Sequence, residues 1–477
     1  MPDKNFIYTD LYILIFQAKI QFWEYILFPV FFLIIFYLAR RTQRNKINAN
    51  FEYKYYVNGL LFKMLGVFCF CMIYTYYYDG GDTFVYFNNA RGMSEMLFNE
   101  PLNFFSIMGG NLSSENFSIF AKYNYQFFYW KDPQAFFVVR LTTPLIFFGI
   151  KGYLLTSIIT AYITYSGVWK LYQVFYIHFP KLHKEFAIAI IFMPSVAFWG
   201  SGILKDSWTL AAAGWLTYSF YQLFIKKGKT KYYFYFVAFF ISSYIIISIK
   251  PYILYSLFFG FVIWFVFYKF KAVKSNFHRV LIFPSIFMVA WVVGGLILGA
   301  TGKIIGGDYE NIDKMINKAD VIRRDLVRAE QYGSNNFNIG DYDKTSMMSI
   351  MIKIPQAMTA GLFRPFLWDV RNIVMLLSGL ENTFLIIFTL MILFRRSPMF
   401  LLNALFDHPL ILFSFVFAMS FAFSIGFSTS NFGALVRYKI PLIPFYMAAL
   451  FFIRHKQIES EKEKQDKMGH SISESVS

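Results

Sequence analysis

Charged side chains are scarce in this chain: Asp, Glu, Lys and Arg make up 15% of its 477 residues, where soluble domains carry about a quarter. Hydrophobic residues reach 57% and gather into runs of membrane-spanning length. An ordinary soluble globule is thereby excluded. Short alternating segments are missing too, which excludes a transmembrane β-barrel. The expected fold class is all-α, a polytopic bundle of transmembrane helices. Cysteine is nearly absent. Cys69 and Cys71 sit two apart in one apolar run, face different sides of a helix, and imply neither a disulfide nor a metal site. The six histidines form no pair at helical spacing, which argues against a His-based zinc centre. Residues 1–20 lack a basic n-region, so no cleavable signal peptide is expected.

Aromatic residues, by contrast, are plentiful, with 62 Phe and 34 Tyr. Tyr and Trp suit the membrane interfaces, and most of the Phe serves as lipid-facing filler. The net charge of +17 is spread between apolar runs, as orientation signals are. No aromatic-interleaved basic stripe forms, and no nucleic-acid partner is expected.

Hydropathy predicts about eleven spans, near 23–38, 57–77, 153–177, 186–199, 208–225, 232–249, 252–268, 280–300, 373–394, 409–427 and 440–453. Arg40, Arg41, Arg44 and Lys46 follow the first and place it with its N-terminus outside. Later short basic loops, such as Lys226-Lys227 and Arg395-Arg396, then fall inside, and so does the C-terminus. Two long segments, about 79–150 and 301–372, fall on the outer face. Residues 1–455 form the membrane domain, and 456–477 are a charged, Ser-rich tail expected to be disordered.

Carboxylates at the mouth of a span are costly unless they bind or react with something. Tyr78-Asp79-Gly80-Gly81-Asp82 directly follows the second run. The same topology brings Arg140, Lys205, Asp206, Lys250, Arg364, Asp369, Arg371, Glu381, Arg437, Tyr438 and Lys439 to the outer face. Several adjoin Gly or Pro, and broken helices at membrane depth are tolerated where they line a cavity. A rim of cations around two carboxylates suits a phosphate or pyrophosphate carried on a lipid, with a carboxylate as general base toward an acceptor hydroxyl. Structural readings compete with these. Lys250 and Lys439 also suit snorkelling to headgroups, Lys205-Asp206 an ion pair at a helix start, and Asp79 and Asp82 the capping of a short helix beginning near Thr83. The stretch from Asp313 to Glu330 reads as a solvated helix face.

Asp79-Gly80-Gly81-Asp82, followed by Tyr86 and Ala90, resembles the acidic first-loop motif of GT-C-type membrane glycosyltransferases. The stretch from Pro194 to Asp206, Phe363-Arg364-Pro365-Phe366-Leu367-Trp368-Asp369 and Arg437-Tyr438-Lys439-Ile440-Pro441 look like segments of bacterial envelope-polysaccharide glycosyltransferases and polymerases. The resemblance implies a polyprenyl-phosphate- or pyrophosphate-linked sugar donor, a lipid-linked or glycan acceptor, and transfer at the outer face of the bacterial cytoplasmic membrane. In it Asp79 or Asp82 is the catalytic base, or a ligand of Mg²⁺ or Mn²⁺. Arg140, Lys205, Lys250, Arg364, Arg371, Arg437 and Lys439 bind the lipid phosphate, and Asp206, Asp369, Glu381 and Tyr438 position these groups. The long segment 301–372 is reminiscent of O-antigen polymerases and ligases, in which metal is generally not required. A transporter or flippase for lipid-linked oligosaccharide is the alternative. The absence of a clear internal repeat and the gathering of charges at one face favour the enzyme.

Overall fold

The computed structural model describes residues 20–123, 129–226, 231–270, 312–326, 336–340, 342–343 and 346–476. The span expected at 280–300, Gly306-Gly307-Asp308, Phe127-Phe128, Lys227, Lys229, Lys271, Lys274 and Glu330 lie outside these residues. In chain order the helices are α1 (Phe22–Lys46), α2 (Tyr56–Tyr76), α3 (Asp82–Asn99), α4 (Pro101–Met108), α5 (Ser114–Phe120), α6 (Pro133–Phe148) and α7 (Tyr153–His178). Then come α8 (His183–Ile190), α9 (Pro194–Trp199), α10 (Lys205–Phe220), α11 (Tyr232–Ile249), α12 (Pro251–Phe270) and α13 (Ile312–Leu326). The last are α14 (Met347–Ile352), α15 (Ile354–Phe363), α16 (Ile373–Arg395), α17 (Pro398–Asp407), α18 (Pro409–Ser428), α19 (Phe432–Tyr438) and α20 (Ile443–Val476). Among the described residues there is no strand, only an isolated bridge between Asn336 and Asn431.

Six helical stretches are long and apolar enough to cross a membrane: Phe22–Lys46, Phe51–Tyr76, Tyr232–Ile249, Pro251–Lys269, Ile373–Arg395 and Pro409–Ser428. Each coincides with a span expected from hydropathy. Two helix pairs pass the same test only together, α6 with α7, bent by 110°, and the pair from Phe432–Tyr438 to Ile443–Lys467, bent by 65°. The chain is thus an all-α, multi-pass membrane protein. The stretch expected to span at 186–199 is instead two short helices, α8 and α9. Pro194 begins α9, and its ring and missing N–H do not allow α8 to continue through it.

The chain divides into two compact units. The first comprises Met1–Val174, Ile191–Leu223 and Thr230–Pro251, the second Phe175–Ile190, Phe224–Lys229 and Tyr252–Ser477. Each is held by a crossing of small residues. In the first, a Cβ on Gly167 of α7 would lie 2.0 Å from the Ala211 oxygen of α10. In the second, a Cβ on Gly426 of α18 would lie 1.9 Å from the Ala357 oxygen of α15. Lipid supplies no hydrophobic drive between helices, so such backbone-close packing is what associates them. A leucine at either glycine would force the pair apart.

The segment at 79–150, expected on the outer face, is mostly helix. On α3, Thr83, Tyr86, Phe87, Ala90, Met93 and Ser94 are buried. Their three-to-four-residue spacing makes one face, which seats α3 against α6. Two ionisable side chains of the apolar helices also tie the first unit together. Glu24 of α1 accepts the Leu154 N–H at 2.7 Å, at the first turn of α7, where a carboxylate complements the helix dipole. Lys63 of α2 donates to the Gly200 carbonyl just past the end of α9, the matching cation at a helix C-terminus.

The charged C-terminal segment, expected to be disordered from Glu459, continues α20 as helix. Arg395 grips Glu461 through two bonds of 2.8 and 2.7 Å. Lys456 reaches Asp407 at 3.1 Å and Glu459 at 3.4 Å, while His455 faces Glu459 one turn on at 3.1 Å. Such pairs support a polar helix that composition alone would leave unfolded.

Candidate functional site

The Asp79–Asp82 turn is built by the end of α2. The Tyr78 N–H donates to the Ile73 carbonyl at 3.0 Å and the Gly80 N–H to the Tyr74 carbonyl at 3.1 Å. This closes the helix with Asp79 in the left-handed region, at φ 50°. Gly81 follows at φ 110° and ψ −178°, a conformation open essentially to glycine alone. A Cβ there would also lie 2.9 Å from the Tyr74 ring. Glycine is required at this position. Gly81 is the N-cap of α3 and Asp82 its first residue. The N-cap position is therefore held by Gly81 and not by Asp79 or Asp82. Asp82 instead places its charge in the first turn, where the helix dipole favours it.

Asp82 is half-buried, and its Oδ1 accepts a hydrogen bond of 2.7 Å from the Tyr129 hydroxyl. Tyr129 is held by stacking on Tyr86 of α3, with centroids 4.9 Å apart. A turn from Tyr129 leads to Asp132, whose N–H donates to the Tyr129 carbonyl at 3.0 Å. Asp132 caps α6 by accepting from the N–H groups of Gln134 and Ala135, and its Oδ2 lies 3.3 Å from the Lys205 ammonium. Lys205 opens α10, and the next residue, Asp206, is fully buried against Lys250 at 2.5 Å. Lys205 and Asp206 thus do not pair with each other, because neighbours at a helix start point to different sides. The contact of Tyr129 with Asp82 and that of Lys205 with Asp132 are joined by the turn from Tyr129 to Asp132, and the chain passes from Lys205 directly into the Asp206–Lys250 pair. Arg140 is on α6 with its guanidinium over the Phe137 ring at 4.7 Å, packed against Gly110.

The remaining predicted residues belong to the second unit. Lys439 is buried between α19 and α20 and donates to Asn382 Oδ1 and to the Arg364 carbonyl at 3.2 Å. That carbonyl ends α15, so Lys439 does for this helix what Lys63 does for α9. Headgroup snorkelling is ruled out for Lys439 and Lys250, which are 1% and 4% exposed. Glu381 is half-buried beside Asn382 and acts electrostatically on Lys439. The Arg364 guanidinium lies within 5.3, 5.5 and 5.7 Å of the Phe337, Phe366 and Phe432 rings. Its Nε is 3.8 Å from Asp369, which also accepts the Phe366 N–H at 3.0 Å. Arg371 is exposed, and Arg437 and Tyr438 on α19 are half-buried.

The candidates thus resolve into two clusters, one in each unit. Among the described residues no group of three or more His, Cys, Asp or Glu side chains gathers that could hold a metal ion. Four residues were missed by sequence reasoning. Asp132 carried a usable signal, since Asp followed by Pro before an apolar run marks a helix start. Lys63 and Glu24 stood out as lone charges inside apolar runs. Tyr129 gave no signal beyond its aromatic neighbours. No family model, no curated protein and no solved structure matches the chain.

Proposed function

We propose that the chain is a membrane glycosyltransferase that takes its sugar from a polyprenyl-phosphate- or pyrophosphate-linked donor. In this reading it works at the outer face of a bacterial cytoplasmic membrane, in the assembly of envelope polysaccharide or a related glycan. It crosses about eleven times, with its N-terminus outside and its C-terminus inside. The observation that carries the reading is the joined pair of contacts in the first unit. A half-buried carboxylate, Asp82, is oriented by the Tyr129 hydroxyl and linked through Asp132 to the Lys205 ammonium.

Asp82 takes the proton from an acceptor hydroxyl as its oxygen attacks the anomeric carbon. The bond from that carbon to the phosphate oxygen breaks, and its electron pair leaves on the phosphate. The sugar inverts. Lys205, with Arg140, offsets the charge on the departing phosphate. Tyr129 donates to Asp82 in its carboxylate form and so keeps it ready to accept a proton. The pair Asp206–Lys250, being buried, holds the start of α10 that presents Lys205.

The test uses purified protein in liposomes with an extract of polyprenyl-linked glycans. Release of polyprenyl phosphate or pyrophosphate by the native chain, lost in Asp82→Asn, supports transfer. Movement of the lipid-linked glycan between leaflets without release contradicts it and makes the chain a flippase.

A further inference from the structure

The corner at which α6 turns into α7 carries an apolar surface that the transfer chemistry does not use. Phe98 near the end of α3 is 75% exposed, Leu102 and Phe105 on α4 are 85% and 65%, and Phe148, which ends α6, is 69%. Phe147 meets Phe98 edge-on at 6.0 Å and joins the patch to α6. α4 is apolar on both sides, since Phe104 and Ile107 are buried beneath it while Leu102 and Phe105 face out. A helix apolar all round needs cover all round. The turn at the corner adds a second sign. Ile150 and Lys151 hold φ of 51° and 57°, a region that β-branched residues seldom occupy, and Ile150 is exposed there.

The position of the corner against the spans identifies its cover. α7 runs back beside α2, which belongs to a stretch long and apolar enough to cross a membrane. Thr83, just past α2, meets the Tyr153 hydroxyl at 3.1 Å, and the Tyr165 hydroxyl donates to the Tyr56 carbonyl at 2.8 Å. α6 is turned 110° from α7 and so lies across these helices, along the plane in which a bilayer surface would run. The corner also abuts the start of α1. A Cβ on Gly152 would lie 2.8 Å from both the Trp23 ring and the Glu24 carboxylate. Tryptophan at the start of a span marks the level of the membrane interface. From that level α1 exposes Phe22, Ile26, Val30 and Leu33, which fall on one helical stripe for lipid. Lys151 and Glu95, half-exposed and 3.9 Å apart, give the corner a polar edge suited to headgroups.

We infer that α4 and the α6–α7 corner are set into the membrane surface at the end where α1 begins, with Leu102, Phe105 and Phe148 among the acyl chains just below the headgroups. The partner of this face is the bilayer itself. The test is electron paramagnetic resonance of the full chain in nanodiscs of phosphatidylcholine and phosphatidylglycerol, with Cys69 and Cys71 replaced by Ala. Nitroxide labels are placed by Leu102→Cys, Phe105→Cys and Phe148→Cys, and by Glu115→Cys on α5 as the aqueous reference. All four side chains are exposed, and a melting temperature like that of the cysteine-free chain shows that labelling leaves the fold intact. Collisions are compared between oxygen, which concentrates in lipid, and a water-soluble nickel chelate. Labels at 102, 105 and 148 should favour oxygen and lie about 5–10 Å below the lipid phosphates, while the label at 115 favours nickel. Nickel in excess at 102, 105 and 148 would overturn the inference, since the face would then meet water. Shielding from both reagents would overturn it too, because protein would then be the cover. Disulfide cross-linking of Leu102→Cys chains would identify that cover as a second copy. Polyprenyl phosphate release plays no part in the readout, so the two proposals fail separately.

Discussion

The two units hold their buried lysines in partly different ways. Lys63 in the first unit and Lys439 in the second both meet a helix-end carbonyl, Lys439 with an amide besides, but the first unit also gives Lys250 a carboxylate, Asp206. In the first unit charge meets charge at Lys205–Asp132 and at Lys250–Asp206, while Asp82 meets the neutral Tyr129 hydroxyl. In the second, Lys439 meets neutral dipoles, while Arg364 lies among aromatic rings with Asp369 at 3.8 Å. The lesson concerns what remains for a ligand. A paired network fixes geometry and presents its end groups, whereas cations among neutral partners keep a positive field that a bound anion can share.

The largest effect should come from breaking the buried pair. Asp206→Ala strands the Lys250 ammonium and should cost about 3–5 kcal/mol of stability, read as a melting temperature in detergent. Asp206→Leu with Lys250→Met should recover most of that, since removing both charges leaves none unpaired. If the single variant melts like the native chain, the two units do not differ as described. Lys439→Met is the matching change in the second unit. It strands only an amide oxygen and a carbonyl and should cost about 1–3 kcal/mol. A loss equal to that of Asp206→Ala would erase the contrast.

Gly81→Ala tests the geometry that leads into Asp82. The strained backbone should cost about 1–3 kcal/mol, and the same melting measurement checks it. The smallest stability effect is expected for Asp132→Asn. Asparagine caps α6 as well as aspartate does, and the half-exposed contact with Lys205 is worth about 0.5 kcal/mol. Its consequence should appear as slower polyprenyl phosphate release with little change in melting.

Hydropathy was enough to place the six long apolar helices, because each buries or presents to lipid an uninterrupted run. It failed at 186–199, where one Pro splits the run, and at the C-terminal tail, where cross-helix ion pairs stabilise a helix of polar composition. The candidate charges were legible as types and not as partners. Lys205 meets a residue 73 positions away and Lys250 one 44 positions away, separations that no local pattern encodes. Lys205 and Asp206 looked like a pair because they are adjacent, yet adjacency on a helix is what keeps them apart. The aromatic setting of Arg364 likewise depends on Phe337 and Phe432, which only the folded chain brings beside it.

The most direct test of the central claim is the rate of polyprenyl phosphate release by the native chain, Asp82→Asn and Asp79→Asn, each in liposomes with the same donor. The account predicts a loss of about a hundredfold or more for Asp82→Asn and a rate near native for Asp79→Asn, whose side chain is exposed in the turn. Equal, native-like rates for all three would contradict it and remove Asp82 from the chemistry.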